Sequence, residues 1–179
     1  MNTSLERILR DQREELMTID YSQFITRYEE SQIDLDSKLA QIVIGVRRCG
    51  KSTICQKVLV ESNTHFAYVN FDDEKLSSLQ VDELNEVLET LYRIYGSFTH
   101  LFMDEIQNVP KWHLFVNRLL RQGIRIILTG SNANLLSGEL ATHLTGRYNE
   151  IRLYPFSFLE YCKAKKIQTN AQTTKSFGI

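Results

Sequence analysis

Apolar residues recur along the chain with two alternating periods. Leu5, Ile8, Leu9 and Leu16 fall near one stripe of a helix ending near Met17, and Thr3 and Glu6 have capping-box spacing at its start. A polar stretch containing Tyr21, Phe24, Ile25 and Tyr28 follows. The run Leu39 to Ile44 does not alternate cleanly, which predicts a strand buried on both faces, stopping at Gly45. From Lys51 onward Ile54, Cys55, Val58 and Leu59 return at helical spacing, and Phe66 to Phe71 reads as a second strand closing on Asp72 and Asp73. Val81, Leu84, Val87, Leu88, Leu91, Ile94 and Tyr95 mark a longer helix stopped by Gly96. His100 to Met103 is a third strand ending at Asp104. Pro110 suits the first turn of a helix whose buried face is Trp112, Phe115, Val116, Leu119 and Leu120, and Gly123 ends it. Ile124 to Leu128 is the fourth strand, and a helix from about Asn134 to His143 precedes a fifth, Glu150 to Leu153.

Strands alternating with helices predict an α/β fold: a parallel sheet between two helical layers, with right-handed crossovers and ligands at the carboxyl ends of the strands. Residues 1–36 are expected to form an N-terminal helical segment and 37–165 the core. Residues 166–179 turn polar and read as a linker or truncated end leading to an absent C-terminal domain. With 179 residues, 42% apolar and 24% charged, 8 Gly and 2 Pro, a single folded core is expected, and collagen-like or low-complexity readings are excluded. The 21 basic and 22 acidic side chains create no global field for nucleic acid or an anionic membrane. Cys49, Cys55 and Cys162 cannot all pair within one chain and show no CxxC spacing, which predicts reduced thiols in a cytoplasmic protein. No run reaches the roughly 18 apolar residues of a membrane helix.

Composition leaves the chemistry to three loops. Gly45-Val-Arg-Arg-Cys-Gly-Lys-Ser52 fits the phosphate-binding pattern GxxxxGK[ST], and it stands between a buried strand and an amphipathic helix. Gly45 and Gly50 are expected to free backbone angles so that consecutive amides face the phosphates, with the helix N-terminus adding donors and dipole. Lys51 would reach the β and γ phosphates and the Ser52 hydroxyl would ligate Mg²⁺. Asp104 and Glu105 arrive together at the tip of an apolar strand, where the first carboxylate would complete the metal shell and the second polarise an attacking water. A paired Asp-Glu is less expected of a nucleotide kinase, and the Asn-Lys-x-Asp phrase of guanine-specific switch proteins is missing.

Ser131, at the end of the fourth strand, could touch the γ phosphate or the water, or could cap the next helix, and it is preferred to Asn132 for the first role. Arg147, between that helix and the fifth strand, could neutralise a neighbouring subunit's γ phosphate or could be a surface arginine pairing with a carboxylate. Within the loop, Arg47 and Arg48 read as solvated side chains, though either could flank the triphosphate, and Cys49 as a neutral filler rather than an oxidation target. Asp72 and Asp73 suit a helix cap or turn before a metal role. His65, His100, His113 and His143 lack mutual ligand spacing. Tyr154, Phe156, Phe158 and Tyr161 read as core and interdomain packing rather than a stacking platform for single strands. Lys163, Lys165 and Lys166, a solvated helix face, are the local hint of an anionic partner.

Four phrases together resemble a known family: Ile44 to Thr53, Leu101 to Trp112 containing Asp-Glu-Ile-Gln, Ile127 to Asn132, and Leu144 to Tyr148 with Leu153 to Phe158. The chain from about Leu39 to Tyr161 is similar to the bacterial and archaeal AAA-type P-loop ATPases whose ATPase domain precedes a C-terminal domain of unknown function. The resemblance implies a three-layer P-loop NTPase with sheet order 5-1-4-3-2. It implies Mg-ATP bound through Gly45, Arg47, Arg48, Cys49, Gly50, Lys51, Ser52 and Thr53, with Asp104 on the metal and Glu105 as base. Ser131 would sense the γ phosphate, and Arg147 would resemble the superfamily's arginine finger, acting in a homo-oligomer.

The leading expectation is therefore an ATP hydrolase that moves an attached domain or protein partner. A nucleotide-dependent interaction switch with negligible hydrolysis would use the same pocket. A nucleic-acid-stimulated ATPase is a third reading, disfavoured by the near-neutral charge, and a small-molecule kinase a fourth.

Overall fold

A computed structural model of the chain describes residues 3–131, 144 and 146–167. Five strands form one parallel sheet: β1 (Ala40–Gly45), β2 (Phe66–Asn70), β3 (His100–Asp104), β4 (Arg125–Ser131) and β5 (Tyr148–Leu153), in the order β2-β3-β4-β1-β5. This is the expected order read from the other edge. The helices are α1 (Thr3–Thr18), α2 (Lys51–Glu61), α3 (Leu84–Tyr95), α4 (Trp112–Arg121) and α5 (Phe158–Ala164).

Neighbouring strand residues point to opposite faces, and the two faces have different covers. Ile42, Ile44, Leu101, Met103, Ile126 and Leu128 join α1, α3 and α4 in one core. Val43, Phe102 and Ile127 face α2 through Ile54, Cys55 and Leu59 in the other. Helices on both faces explain why the central strands read as unbroken apolar runs. The amphipathic α1 lies over this core with Leu5, Ile8 and Leu9 buried. Its buried Gln12 pairs with both backbone groups of Asn70, donating to the carbonyl at 3.1 Å and accepting from the amide at 3.0 Å. The side chain thus continues hydrogen bonding along the outer edge of β2.

Several boundaries differ from the sequence pattern for local reasons. α3 begins at Leu84 rather than Val81, because Gln80 to Glu83 close a turn in which the Glu83 carboxylate accepts from the Gln80 amide at 2.8 Å. Pro110 precedes α4 instead of opening it: Lys111 takes a left-handed φ of 58° as the N-cap, and the helix starts at Trp112. β4 runs on to Ser131 because Thr129, Gly130 and Ser131 stay in register with Val43, Ile44 and Gly45. β5 begins at Tyr148, two residues early, paired with Ala40. Tyr154, Phe156 and Tyr161 are exposed rather than core residues, since the chain turns outward after β5 and α5 buries Cys162 instead. The helix expected from Asn134 to His143 lies outside the described residues.

Candidate functional site

The loop Gly45 to Ser52 stands at the carboxyl end of β1, flanked by the ends of β3, β4 and β5. Its two glycines are required for different reasons. Gly50 has φ 97°, the left-handed conformation that lets the loop turn into α2. Gly45 is an ordinary strand residue in φ, so its expected conformational role is replaced by a steric one. A Cβ there would lie 2.3 Å from the Leu153 carbonyl oxygen and 2.7 Å from Cys49 Sγ. Arg48 also adopts a positive φ, 65°, and its side chain is exposed. Arg47 reaches solvent with Asp72 3.5 Å away. Cys49 is a buried filler whose thiol burial pushes up, against the opposing effect of Lys51.

The structure brings Lys51, Ser52, Asp104 and Glu105 together. Lys51, buried on the first turn of α2, places Nζ 3.2 Å from a Glu105 carboxylate oxygen and 3.5 Å from the Val46 carbonyl. The Ser52 hydroxyl donates to Asp104 at 2.9 Å. Thr129 Oγ1 donates to the same Asp104 oxygen and accepts from the Glu105 amide at 3.0 Å. Tyr68, beneath, donates to the other Asp104 oxygen at 3.5 Å. Burial raises the Asp104 carboxyl, and the hydrogen bonds from Thr129 and Ser52 offset this only in part. Glu105 follows with a left-handed φ of 52°, which ends β3 and starts the 3₁₀ turn Ile106–Asn108. Gln107 on that turn donates to Glu105 Oε2.

Ser131 ends β4 opposite Gly45, at the edge of the same cleft. Asn132 and the segment that Ser131 could cap lie outside the described residues. Arg147 is exposed at the amino end of β5, where its carbonyl accepts from the Ala40 amide at 2.9 Å. Six steps along the parallel strand separate it from Leu153 beside the loop, about 20 Å at ~3.3 Å per residue, so it does not join its own chain's site. Asp73 caps the 3₁₀ turn Glu74–Leu76 by accepting from the Lys75 amide, the cap role expected of it. His100 is a satisfied core residue, its Nδ1 2.8 Å from the Thr99 hydroxyl and its Nε2 2.8 Å from the Leu35 carbonyl.

Two parts of the site carry no sequence motif. One is a cavity of about 250 Å³ against the loop, walled by Phe24, Ile25, Ile54, Pro155 and Phe156 and opening beside Gly50 and Thr53. The other is Arg27, buried under that cavity. Its guanidinium donates to Glu160 on α5 at 2.7 Å, to the Tyr154 carbonyl at 2.9 Å and to the Cys49 carbonyl at 3.3 Å, and it lies 5.0 Å from the Phe156 ring centre. Lys57 and Glu30 pair beside it at 2.6 Å. Thr129 could have been singled out as a hydroxyl inside an otherwise apolar strand; a lone arginine in a polar stretch gives no such signal.

The family model of an AAA domain matches residues 37–162. The chain belongs to this family. It is 40% identical over 138 residues to an uncharacterized protein of Methanocaldococcus jannaschii, an alignment that covers 75% of this chain and 30% of the relative. It is 34% identical over 147 residues to an uncharacterized protein of Haemophilus influenzae, covering 76% of this chain and 36% of the relative. The chain thus spans about a third of the length of these curated relatives. The AAA domain supports an ATPase-like, nucleotide-binding P-loop module. Among the described residues no helix is long and apolar enough to cross a membrane.

Proposed function

We propose that this AAA domain hydrolyses Mg-ATP by water attack on the γ phosphate and couples that step to movement of an attached domain or partner. The observation that carries the reading is the meeting of two pairs across the β1 and β3 ends: Lys51 with Glu105 at 3.2 Å, and Ser52 with Asp104 at 2.9 Å. Lys51 would exchange Glu105 for the β and γ phosphates, freeing the carboxylate to act as base on the water. The loop amides around Gly50 and the start of α2 would hold the phosphates.

The donor set fits a magnesium ion. A buried carboxylate stands against a hydroxyl, its burial outweighing the field of nearby Lys51, which pairs with Glu105 instead, and no described cluster of three or more His, Cys, Asp or Glu competes as a full protein cage. That is the sparse protein contribution expected of magnesium, which takes its remaining ligands from water and phosphate. When bound there by Ser52 and Asp104, the ion would neutralise charge on the phosphoryl oxygens.

The purine base would occupy the apolar cavity beside Thr53, between Phe24, Ile54 and Phe156. Ser131, at the edge of the cleft, would contact the γ phosphate. Arg147, too far to serve its own site, would serve a neighbour's in a homo-oligomer. Three buried free cysteines agree with a cytoplasmic location.

Phosphate release from Mg-ATP tests the reading with Glu105→Gln, Arg147→Ala and an equimolar mixture of the two. Each variant alone is expected to lose turnover by about 100-fold or more while still binding ATP. The mixture should recover part of it, because a site with intact Glu105 can then meet an intact Arg147 from its neighbour. Unchanged turnover in Glu105→Gln would instead favour a nucleotide-dependent interaction switch.

A further inference from the structure

Gln107 holds an unsatisfied oxygen beside the proposed base. Its Nε2 donates to Glu105 Oε2, which fixes the orientation of the carboxamide, since the flipped amide would set two acceptors against each other. That leaves Oε1 buried and without a hydrogen-bond partner among the described residues. Buried amide oxygens are almost always satisfied, so an orphan one beside a reactive carboxylate calls for a donor that arrives from outside. Its described neighbours Glu105 and Lys51 cannot supply it. Glu105 only accepts, and the Lys51 ammonium is drawn to Glu105 and the Val46 carbonyl. Phosphate oxygens in the loop would be acceptors as well.

Water has the missing property. For its lone pair to face phosphorus, both of its protons must point elsewhere, and a single carboxylate is suited to only one of them. We propose that Gln107 is a second catalytic residue of the hydrolysis, its Oε1 accepting a hydrogen bond from the O–H of the attacking water that Glu105 does not deprotonate, the proton of which stays on the phosphate product. This rests on the hydrolase reading above. The water oxygen forms a bond to the γ phosphorus as the bond from that phosphorus to the β–γ bridging oxygen breaks, and the electron pair leaves with ADP. Glu105 takes one proton and returns it to the phosphate product or solvent, whereas Gln107 neither gains nor loses one. The backbone suits the role: the left-handed Glu105, tied by its amide to Thr129, folds the 3₁₀ turn back so that residue 107 lies against residue 105, and fully buried Ile106 anchors the turn. Transfer of Lys51 from Glu105 to the phosphates would open the space that the water needs.

The test compares the wild-type chain with Gln107→Met, which keeps length but removes the acceptor, and Gln107→Asn, which withdraws the carboxamide by one methylene. Phosphate release is measured with the affinity for a fluorescent methylanthraniloyl-ADP, alone and with magnesium and aluminium fluoride, which mimics the phosphoryl group in transit. Both variants are expected to lose kcat by about 100-fold, the scale of one removed transition-state hydrogen bond, with KM and ADP affinity within about 2-fold. The tightening of ADP by aluminium fluoride should vanish, and the unfolding temperature should not fall. Unchanged kcat in a folded variant, or a loss matched by weaker ADP binding or a lower unfolding temperature, would overturn the proposal. Should Gln107→Met not fold, Gln107→Asn alone decides. A wild-type chain that binds the ADP probe but releases no phosphate removes the hydrolase reading, and this role with it; wild-type turnover that survives in the variants removes the Gln107 role alone.

Discussion

At Asp104 the carboxylate sits under the sheet end with hydroxyls of Ser52 and Thr129 donating to it, and burial still holds its pKa above the ordinary 3.8. Such a charge costs folding free energy until a cation arrives. Asp104→Asn keeps an acceptor oxygen for both hydroxyls and removes the charge. The nucleotide-free variant should therefore melt about 2–4 °C higher, the shift that ~1 kcal/mol gives in a domain of this size, while its nucleotide affinity ceases to respond to magnesium. Differential scanning fluorimetry with and without Mg-ADP checks both. The residues of this site that the sequence exposes are those at fixed spacing: Gly50, Lys51, Ser52 and the Asp104-Glu105 pair. Thr129 and Gln107 belong to quoted phrases, yet nothing in those phrases assigns them a contact. Their partners are decided by the left-handed turn at Glu105 and by register with β1, which are properties of the folded backbone.

The short helix α5 owes its position to ties beyond its own seven residues. Ser157 and Glu160 form a capping box at its start, and the same Glu160 carboxylate receives Arg27. Burial alone would raise Glu160, but the Ser157 hydrogen bonds and the Arg27 guanidinium outweigh it and hold the group below the usual 4.5. A carboxylate depressed in the folded state contributes stability that is present above its unfolded pKa and lost as pH falls through the folded one. Hydrogen exchange of the α5 amides should thus be protected at neutral pH and lose protection below about pH 4.5. Arg27→Met should speed that exchange at neutral pH by about 10- to 100-fold, as expected for the loss of a hydrogen bond to a charged group worth ~1.5–3 kcal/mol. Slow exchange in that variant would mean that α5 is held by packing around Cys162 alone. The existence of α1 to α4 is readable from periodicity, that of the short α5 is not, and helix starts are less so, because Lys111 and Glu83 set them through turn geometry that no apolar spacing encodes.

Over the whole molecule, sheet order was legible because the motif phrases imply a known crossover pattern and the central strands are buried on both faces. The cavity beside the loop was not. Its walls come from residues near 25, 54 and 155, three segments that meet only after the sheet has closed β5 against β1. Arg27 is invisible for the same reason, since its worth lies in three backbone and side-chain partners far away in sequence. The separation of Arg147 from its own loop likewise follows from strand direction, which a linear reading does not measure.

The close approach at Gly45 has a genetic consequence. A methyl at position 45 would strike Cys49 Sγ, which a smaller residue at 49 can remove, but it would also strike the carbonyl oxygen of Leu153, which every amino acid at 153 would retain. Gly45→Ala should therefore be hard to rescue by one further change. A suppressor screen for restored nucleotide binding is expected to return no allele at 153 and none at 49 that suffices alone. Recovery by Cys49→Gly would show that β5 can yield where the structure makes it a wall.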